Sequence, residues 1–399
     1  MHEFIAKTIR RKMERREFLR WLGGAGVTLV AAACAPFRAA ELPTAAALPP
    51  SATPSPTVTA TPFSAISTAT RTPPTATPDP RIAVAIGKAT AYDPAVLRAE
   101  LEKMLEGISG PGDWIKPGVR VGIKVNLTGE ATYDGPGKIP ANELFVTHPA
   151  VVEALGEILK DAGARELVIV DGLGDVRCFD RWGFSDVAKR LGAELVDLCK
   201  PAPYKGYKLF QVGKDPLIYD HFYLNGRLSE IDGLISVAKL KCHSTTGVTL
   251  SMKNLIGLAP ISEYRRHEVD NNRSFFHGDA SHDTRLPGVI MDLNRAVPVR
   301  LALIDGVMTA EGGAGPWQDL SQVKPGVLLV GKDPVATDAV ATAVMGFDPQ
   351  APAGSLPFLH GENTMEMAHA LGLGTNVLNE IRVSGPAIAE VKYPFKPAP

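Results

Sequence analysis

The chain has 399 residues, 45% of them hydrophobic and 21% charged, with a formal net charge of −1, a length that suits two or three domains if all of it folds. Its first thirty-four residues hold seven Lys or Arg against three Asp or Glu, so the remainder is net acidic. That balance argues against nucleic acid as a partner, because phosphate binding needs a basic face.

Residues 1–34 join a basic region, a short glycine-diluted apolar stretch and small residues ending at Cys34. About 20 apolar residues are needed to span a bilayer, so the segment reads as an export signal rather than a membrane span. Arg15-Arg16-Glu17-Phe18-Leu19 resembles the twin-arginine type, which moves folded proteins. Ala31-Ala32-Ala33-Cys34 resembles a loose lipobox with Cys34 as the lipidated residue; cleavage after Ala33 and an uncleaved anchor are the alternatives. Residues 35–80 are almost entirely Ala, Pro, Ser and Thr, too poor in large apolar side chains to offset their chain entropy, and read as a tether. Together these features place the protein outside the cytoplasmic membrane and attached to it through its N-terminus.

From residue 81 to 399, short Val/Ile-rich runs alternate with segments of helical period. The expected fold is α/β, a mostly parallel doubly wound sheet with room for a small second lobe. Strands are expected at "RIAVAIG" (81), "VRVGIKVNL" (119), "ELVIVDG" (166), "GLISVAKLK" (233), "RLALIDG" (300) and "GVLLVG" (326). Helices are expected to begin near Pro94, His148, Ser185, Thr246, Arg285, Pro334 and Gly361, with Thr147 and Asp333 as N-caps. The aromatic segment from Lys200 to Asn225 breaks the alternation and reads as an antiparallel excursion; the stretch from Ile261 to Thr284 is longer than an ordinary connection.

Ligands of doubly wound sheets bind at the carboxyl ends of the strands, so the residues there are the candidates. In "VRVGIKVNL" a period of two puts Lys124 and Asn126 on one face. Two strands stop at Asp-Gly, giving Asp171 and Asp305, which orient a partner or merely stabilise turns. In "GLISVAKLKCH" the parity of Ile235 and Val237 continues as Lys239, Lys241 and His243, so one strand face turns cationic at its exit. Ser244, Thr245 and Thr246 then offer N-caps to a helix whose apolar stripe leaves Lys253 and Asn254 outside it. Lysine charge beside a helix N-terminus predicts a site for a small carboxylate, phosphate or similar anion, held by Lys124, Asn126, Lys239, Lys241, Lys253 and Asn254.

His243 and Glu311, the latter in the glycine-rich "EGGAGP", are the candidate proton-transfer groups, with Asp171 and Asp305 beside them. His267, His277 and His282 are candidate metal ligands, although their spacing matches no standard site. Cys178, Cys199 and Cys242 form no C-x-x-C, so no intrinsic iron–sulfur cluster is expected; Cys178 and Cys199 either pair or stand as separate core residues.

"THPAVVEALGEILKDAGA", "VAKLKCHSTTGVTLSMKNLIGL", "LALIDGVMTAEGGAGP" and "LLVGKDPVATDAVATAVMGFDP", in that order, resemble the domain of unknown function 362 family. The resemblance runs from about Lys124 to Pro349. It implies Lys239, Lys241, His243, Lys253, Asn254, Asp305, Glu311, Asp333 and Asp338 as pattern residues, and it brings no catalytic assignment. Many members of that family carry ferredoxin-like modules with two four-iron clusters, which implies redox chemistry for them. This chain has no such module, so a redox role here implies a separate partner protein or another cofactor. For such a partner the aromatic segment, with Tyr207 and Phe210, is the candidate docking surface. The competing expectations are an exported enzyme acting on a small anion, a tethered anion- or metal-binding protein, and an accessory factor to a redox partner.

Overall fold

The structure, a computed structural model, describes residues 81–278 and 282–399. The segments expected to be an export signal and a tether, with Cys34, lie outside the described residues. Strands β1 (Ile82–Lys88), β2 (Arg120–Lys124), β3 (Glu166–Asp171), β4 (Glu194–Asp197), β5 (Gly233–Lys239), β6 (Val299–Gly306), β7 (Val327–Gly331) and β8 (Ile381–Ser384) form one sheet. Its order is β8-β1-β7-β6-β5-β2-β3-β4. Strand β7 is antiparallel to β1 and β6, and the other pairings are parallel. The expected α/β class and the six expected strands are present. The edge strands β4 and β8 were not anticipated, being short and only partly buried.

Helices α1 (Pro94–Gly107), α2 (Pro149–Asp161) and α3 (Phe184–Leu191) pack on one face against Val121, Ile123, Ile235, Val237, Leu301 and Leu303. Helices α4 (Leu250–Asn254), α5 (Arg285–Ala296), α6 (Pro334–Val344) and α7 (Thr364–Ala370) pack on the other, against Leu234, Ala238, Ala302 and Ile304. The alternation read along β5 therefore sends Ile235 and Val237 to one core and Leu234 and Ala238 to the other, as a period of two requires. The aromatic segment forms the expected antiparallel pair, Lys208–Gln211 with His221–Leu224. Among the described residues no helix is long and apolar enough to cross a membrane.

Three helix starts differ from expectation. The side chain of His148, not Thr147, caps α2, its Nδ1 accepting from Ala150 N at 3.2 Å. The Thr147 hydroxyl is engaged between Asn126 N (2.9 Å) and Val237 O (2.8 Å). The helix expected near Gly361 begins at Thr364, where Asn363 supplies the cap. Helix α4 begins at Leu250 rather than near Thr246, because Cys242–His243 first pairs back on Gly247–Val248, with Gly247 at a φ of 69°. Asp333 caps α6 as expected, accepting from Val335 N and Ala336 N.

The chain leaves β2 in one direction across the sheet, through β3 to β4, and in the other through β5 to β6. The boundary between β2 and β5 is thus a topological switch point, where the crevice outside the strand ends is widest for a ligand.

Candidate functional site

Four of the central strands present a charged residue at or near their carboxyl ends: Lys124 on β2, Asp171 on β3, Lys239 on β5 and Asp305 on β6. They sort into a closed cluster and an unbalanced one.

In the closed cluster Lys239 Nζ donates to Asp305 Oδ2 (2.9 Å), to Asn142 O (2.9 Å) and to Tyr92 Oη (3.0 Å), and both charged side chains are fully buried. Tyr92 donates to Asp305 Oδ1 at 2.8 Å, and His148 N donates to Oδ2 at 3.0 Å. The Tyr92 and His148 rings stack at 3.5 Å, and burial holds the imidazole down at about 4, hence neutral. Every donor of the ammonium is used. Lys239 and Asp305, both read from sequence as ligand-facing, therefore form a strut between β5 and β6, whose register sets them opposite each other.

The unbalanced cluster flanks the switch point. Lys124 pairs with Asp171 at 2.8 Å and donates to Asn254 Oδ1 at 3.1 Å. Asn254 in turn donates to Lys124 O and Ser236 Oγ, and accepts from Asn126 Nδ2 at 3.1 Å, so it sutures β2 to β5. Asp171 also accepts from Leu127 N and Gly172 N. Lys241, buried, pairs with no carboxylate among the described residues: it donates to Phe145 O (2.6 Å) and Ala314 O (2.7 Å). Lys253, half-buried, has no hydrogen bond or ion pair among the described residues.

Arg273, from the long loop, donates to Ala259 O (2.5 Å) and Gly172 O (2.8 Å). Of Lys124, Lys241, Lys253 and Arg273, only Lys124 is paired with a carboxylate, Asp171, among the described residues. Lys253 lies at their electrostatic centre: Lys241, His243 and His277 each feel it, and it feels Arg273 and Lys124. Burial first, then those two cations, lower its ammonium to about 8. Burial followed by Lys253 and His277 drives the His243 imidazole well below its ordinary range. Its Nδ1 accepts from Thr245 N (3.2 Å) and Thr246 N (3.3 Å), so the ring proton sits on Nε2, which has no hydrogen-bond partner among the described residues.

Half of the expected anion device is absent. Asp338, on α6, accepts from Ser251 N (2.8 Å) and Met252 N (2.9 Å), so the N-terminus of the short α4 is already capped and offers nothing to a ligand. The charge that remains comes from side chains alone.

Glu311 lies on a two-stranded ladder, Thr309–Glu311 with Ser321–Val323, where it accepts from Lys396 N at 2.9 Å; it is occupied in tying down the C-terminal tail. His282 faces Glu362 at 3.1 Å and His277 faces Asp283 at 3.4 Å, while His267 N bonds Asp270. Among the described residues no group of three His, Cys, Asp or Glu is placed to hold a metal ion. Cys178, Cys199 and Cys242 are free thiols, so Cys178 and Cys199 are not joined.

Arg273, Gly172 and Gly257 were not singled out in the sequence. A Cβ on Gly257 would lie 2.3 Å from Asp171 Oδ1 and 2.6 Å from Lys124 Nζ; one on Gly172 would lie 2.3 Å from Arg273 Nη2. Only glycine lets the backbone cross these charges so closely. Gly257→Ala is expected to destabilise the protein by about 1–3 kcal/mol, since the pair must shift or break. Chemical denaturation measures this, and an unchanged midpoint would contradict the packing described. Cavities of about 360, 380 and 520 Å³ open elsewhere, none lined by Lys241, His243 or Lys253.

The family model for a domain of unknown function (DUF362) matches residues 121–343, more than half of the chain. The chain belongs to the DUF362 family. It is also similar to a thylakoid-associated protein, sll1697, of Synechocystis sp., at 26% identity over 313 residues, covering 78% of this chain and 83% of that protein. No solved structure matches. The matched region of the DUF362 model contains Lys124, Lys241, His243, Lys253 and Arg273, and so spans the whole unbalanced cluster.

Proposed function

We propose that this DUF362 protein binds a small anion at the switch point between β2 and β5, and that it is an enzyme acting on that anion. The observation that carries the reading is the excess of cations, above all Lys253, whose charge no described carboxylate offsets. Burying charge without a partner costs several kcal/mol, and a site that keeps such a charge is the common mark of a ligand's counterion. Lys253, Lys241 and Arg273 hold the anion, and the neutral His243 donates from Nε2. Lys124, Asp171, Asn126 and Asn254 set the floor, while Lys239 and Asp305 brace it.

A membrane-related location accompanies this reading. It rests on the likeness to a thylakoid-associated protein and on the export pattern ending at Cys34. A redox partner docking near Tyr207 and Phe210 is the second reading. It is favoured by Leu209 and Tyr223, opposite each other on the small ladder and each more than 40% exposed.

The test is a thermal-shift and calorimetric screen of small carboxylates, phosphates and sulfate. Lys253 titrates at about 8, so affinity is expected to hold from pH 7 toward 8 and then fall about tenfold per pH unit. Affinity independent of pH between 7 and 9.5, or no binding by any anion, would refute the site.

A further inference from the structure

The glycine-rich loop 312–318 reaches Lys241, just past the end of β5, and is held there from two sides. On the inner side Lys241 Nζ donates to Ala314 O at 2.7 Å. On the outer side Gly312 N donates to Lys396 O at 3.2 Å, and the adjoining Glu311 accepts from Lys396 N at 2.9 Å and pairs with the Lys396 ammonium at 3.5 Å. Within the loop Ala314 N donates to Gln318 Oε1 at 2.7 Å, so Ala314 moves with the rest of it. Gly312, Gly313 and Gly315 make ordering this loop costly in chain entropy, and its place therefore depends on the outside partners.

Residues 393–398 have the build of a strap. Tyr393 N and Phe395 N donate to Val344 O (2.8 Å) and Met345 O (2.9 Å) at the end of α6, and Phe395 and Ala398 are buried in the same core as that helix. Lys396, between those two anchors, is exposed and faces Glu311. Its ion pair is weak in water, so the fastening is chiefly the two backbone donations, Lys396 N to Glu311 and Gly312 N to Lys396 O.

We propose that this strap fastens the loop over Lys241, and that the loop is the gate of the anion site. The gate rests on the anion-site reading above; the strap does not. Lys241 is only 2% exposed, so an anion meets its ammonium only when a covering segment moves. Two segments bond it, through Phe145 O and Ala314 O. Phe145 is fully buried and its N donates to Ala141 O at 2.9 Å, whereas the loop is glycine-rich and tied to an exposed residue. The loop is thus the segment that yields. Opening also returns to Lys241 the N–H that Ala314 O had taken, and every molecule held closed by the strap lowers the apparent affinity for the anion.

The test applies hydrogen exchange with mass spectrometry, and calorimetry with sulfate at pH 7, to the full chain and three variants. Glu311→Ala removes the acceptor, Lys396→Pro removes the donating N–H together with the ammonium, and the third variant combines them. Exchange across 312–318 should quicken about tenfold in each single variant and no further in the double, because both changes cut one contact. Exchange in β7 should stay as in the parent, the sign that the fold is intact. Sulfate should bind about threefold tighter, or bind the variants alone. Loop exchange unchanged in both single variants would overturn the strap. Faster exchange with parental sulfate affinity would overturn the gate. If sulfate binds neither parent nor variants, the anion site fails, and the exchange result still decides the strap.

Discussion

Lys239→Met is expected to cost about 3–5 kcal/mol of stability, the usual range when one partner of a buried ion pair is removed. The variant leaves Asp305 fully buried, with only the Tyr92 hydroxyl and the His148 and Val307 amides to balance its charge. The damage should extend beyond one contact, because the pair joins β5 to β6 and its hydrogen bonds reach the 142–148 segment that leads into α2. Replacing both members with apolar residues, Lys239→Met with Asp305→Leu, should recover much of the loss, since no buried charge is then stranded. Urea denaturation of the two variants decides this. A Lys239→Met variant as stable as the parent would show that the pair is not the strut described.

Lys253→Met should move stability in the opposite direction, upward by about 1–3 kcal/mol at pH 7, the half-burial of the residue and the water around it limiting the gain. Its proton is held less tightly in the folded chain, at about 8, than at the ordinary value of 10.5. Between those values the unfolded chain binds more protons, so this group's contribution to stability rises with pH from about 8 toward 10.5. The gain on substitution is therefore largest below pH 8 and fades above it. Denaturation at pH 7 and pH 9.5 checks both features. A lysine kept for packing would instead lose stability on substitution at both values. Removing a side chain that a site keeps at a cost is the signature of function traded against stability.

The contrast between these two lysines marks where sequence stops being informative. The parity of Ile235, Val237, Lys239, Lys241 and His243 was legible because a strand alternates by twos, and the structure keeps Ile235 and Val237 in one core throughout. Asp171 and Asp305 were legible as strand ends. Which lysine each carboxylate neutralises was not, since that depends on the sheet order and on register, here Asp305 opposite Lys239. Arg273 was hidden in a long loop whose path no period describes, and Gly172 and Gly257 looked like ordinary turn glycines. The partner of Glu311 was not legible either, since Lys396, whose amide it accepts from, is 85 residues away. The helix N-terminus misled for a similar reason: Asp338, from another helix, had already filled it. The direction of β7 was invisible too, because a buried parallel strand and a buried antiparallel one carry the same apolar run.

The central claim is that Lys253 waits for an anion with its charge uncompensated. The direct measurement is the number of protons taken up when sulfate binds, from calorimetry in two buffers of different ionisation enthalpy. Sulfate itself does not titrate near neutral pH. An anion raises the Lys253 pKa back toward its ordinary value, so uptake of about half a proton is expected at pH 8, where the free amine is half protonated, falling toward none at pH 6.5. Binding without proton uptake at pH 8, or uptake unchanged in Lys253→Met, would contradict the account.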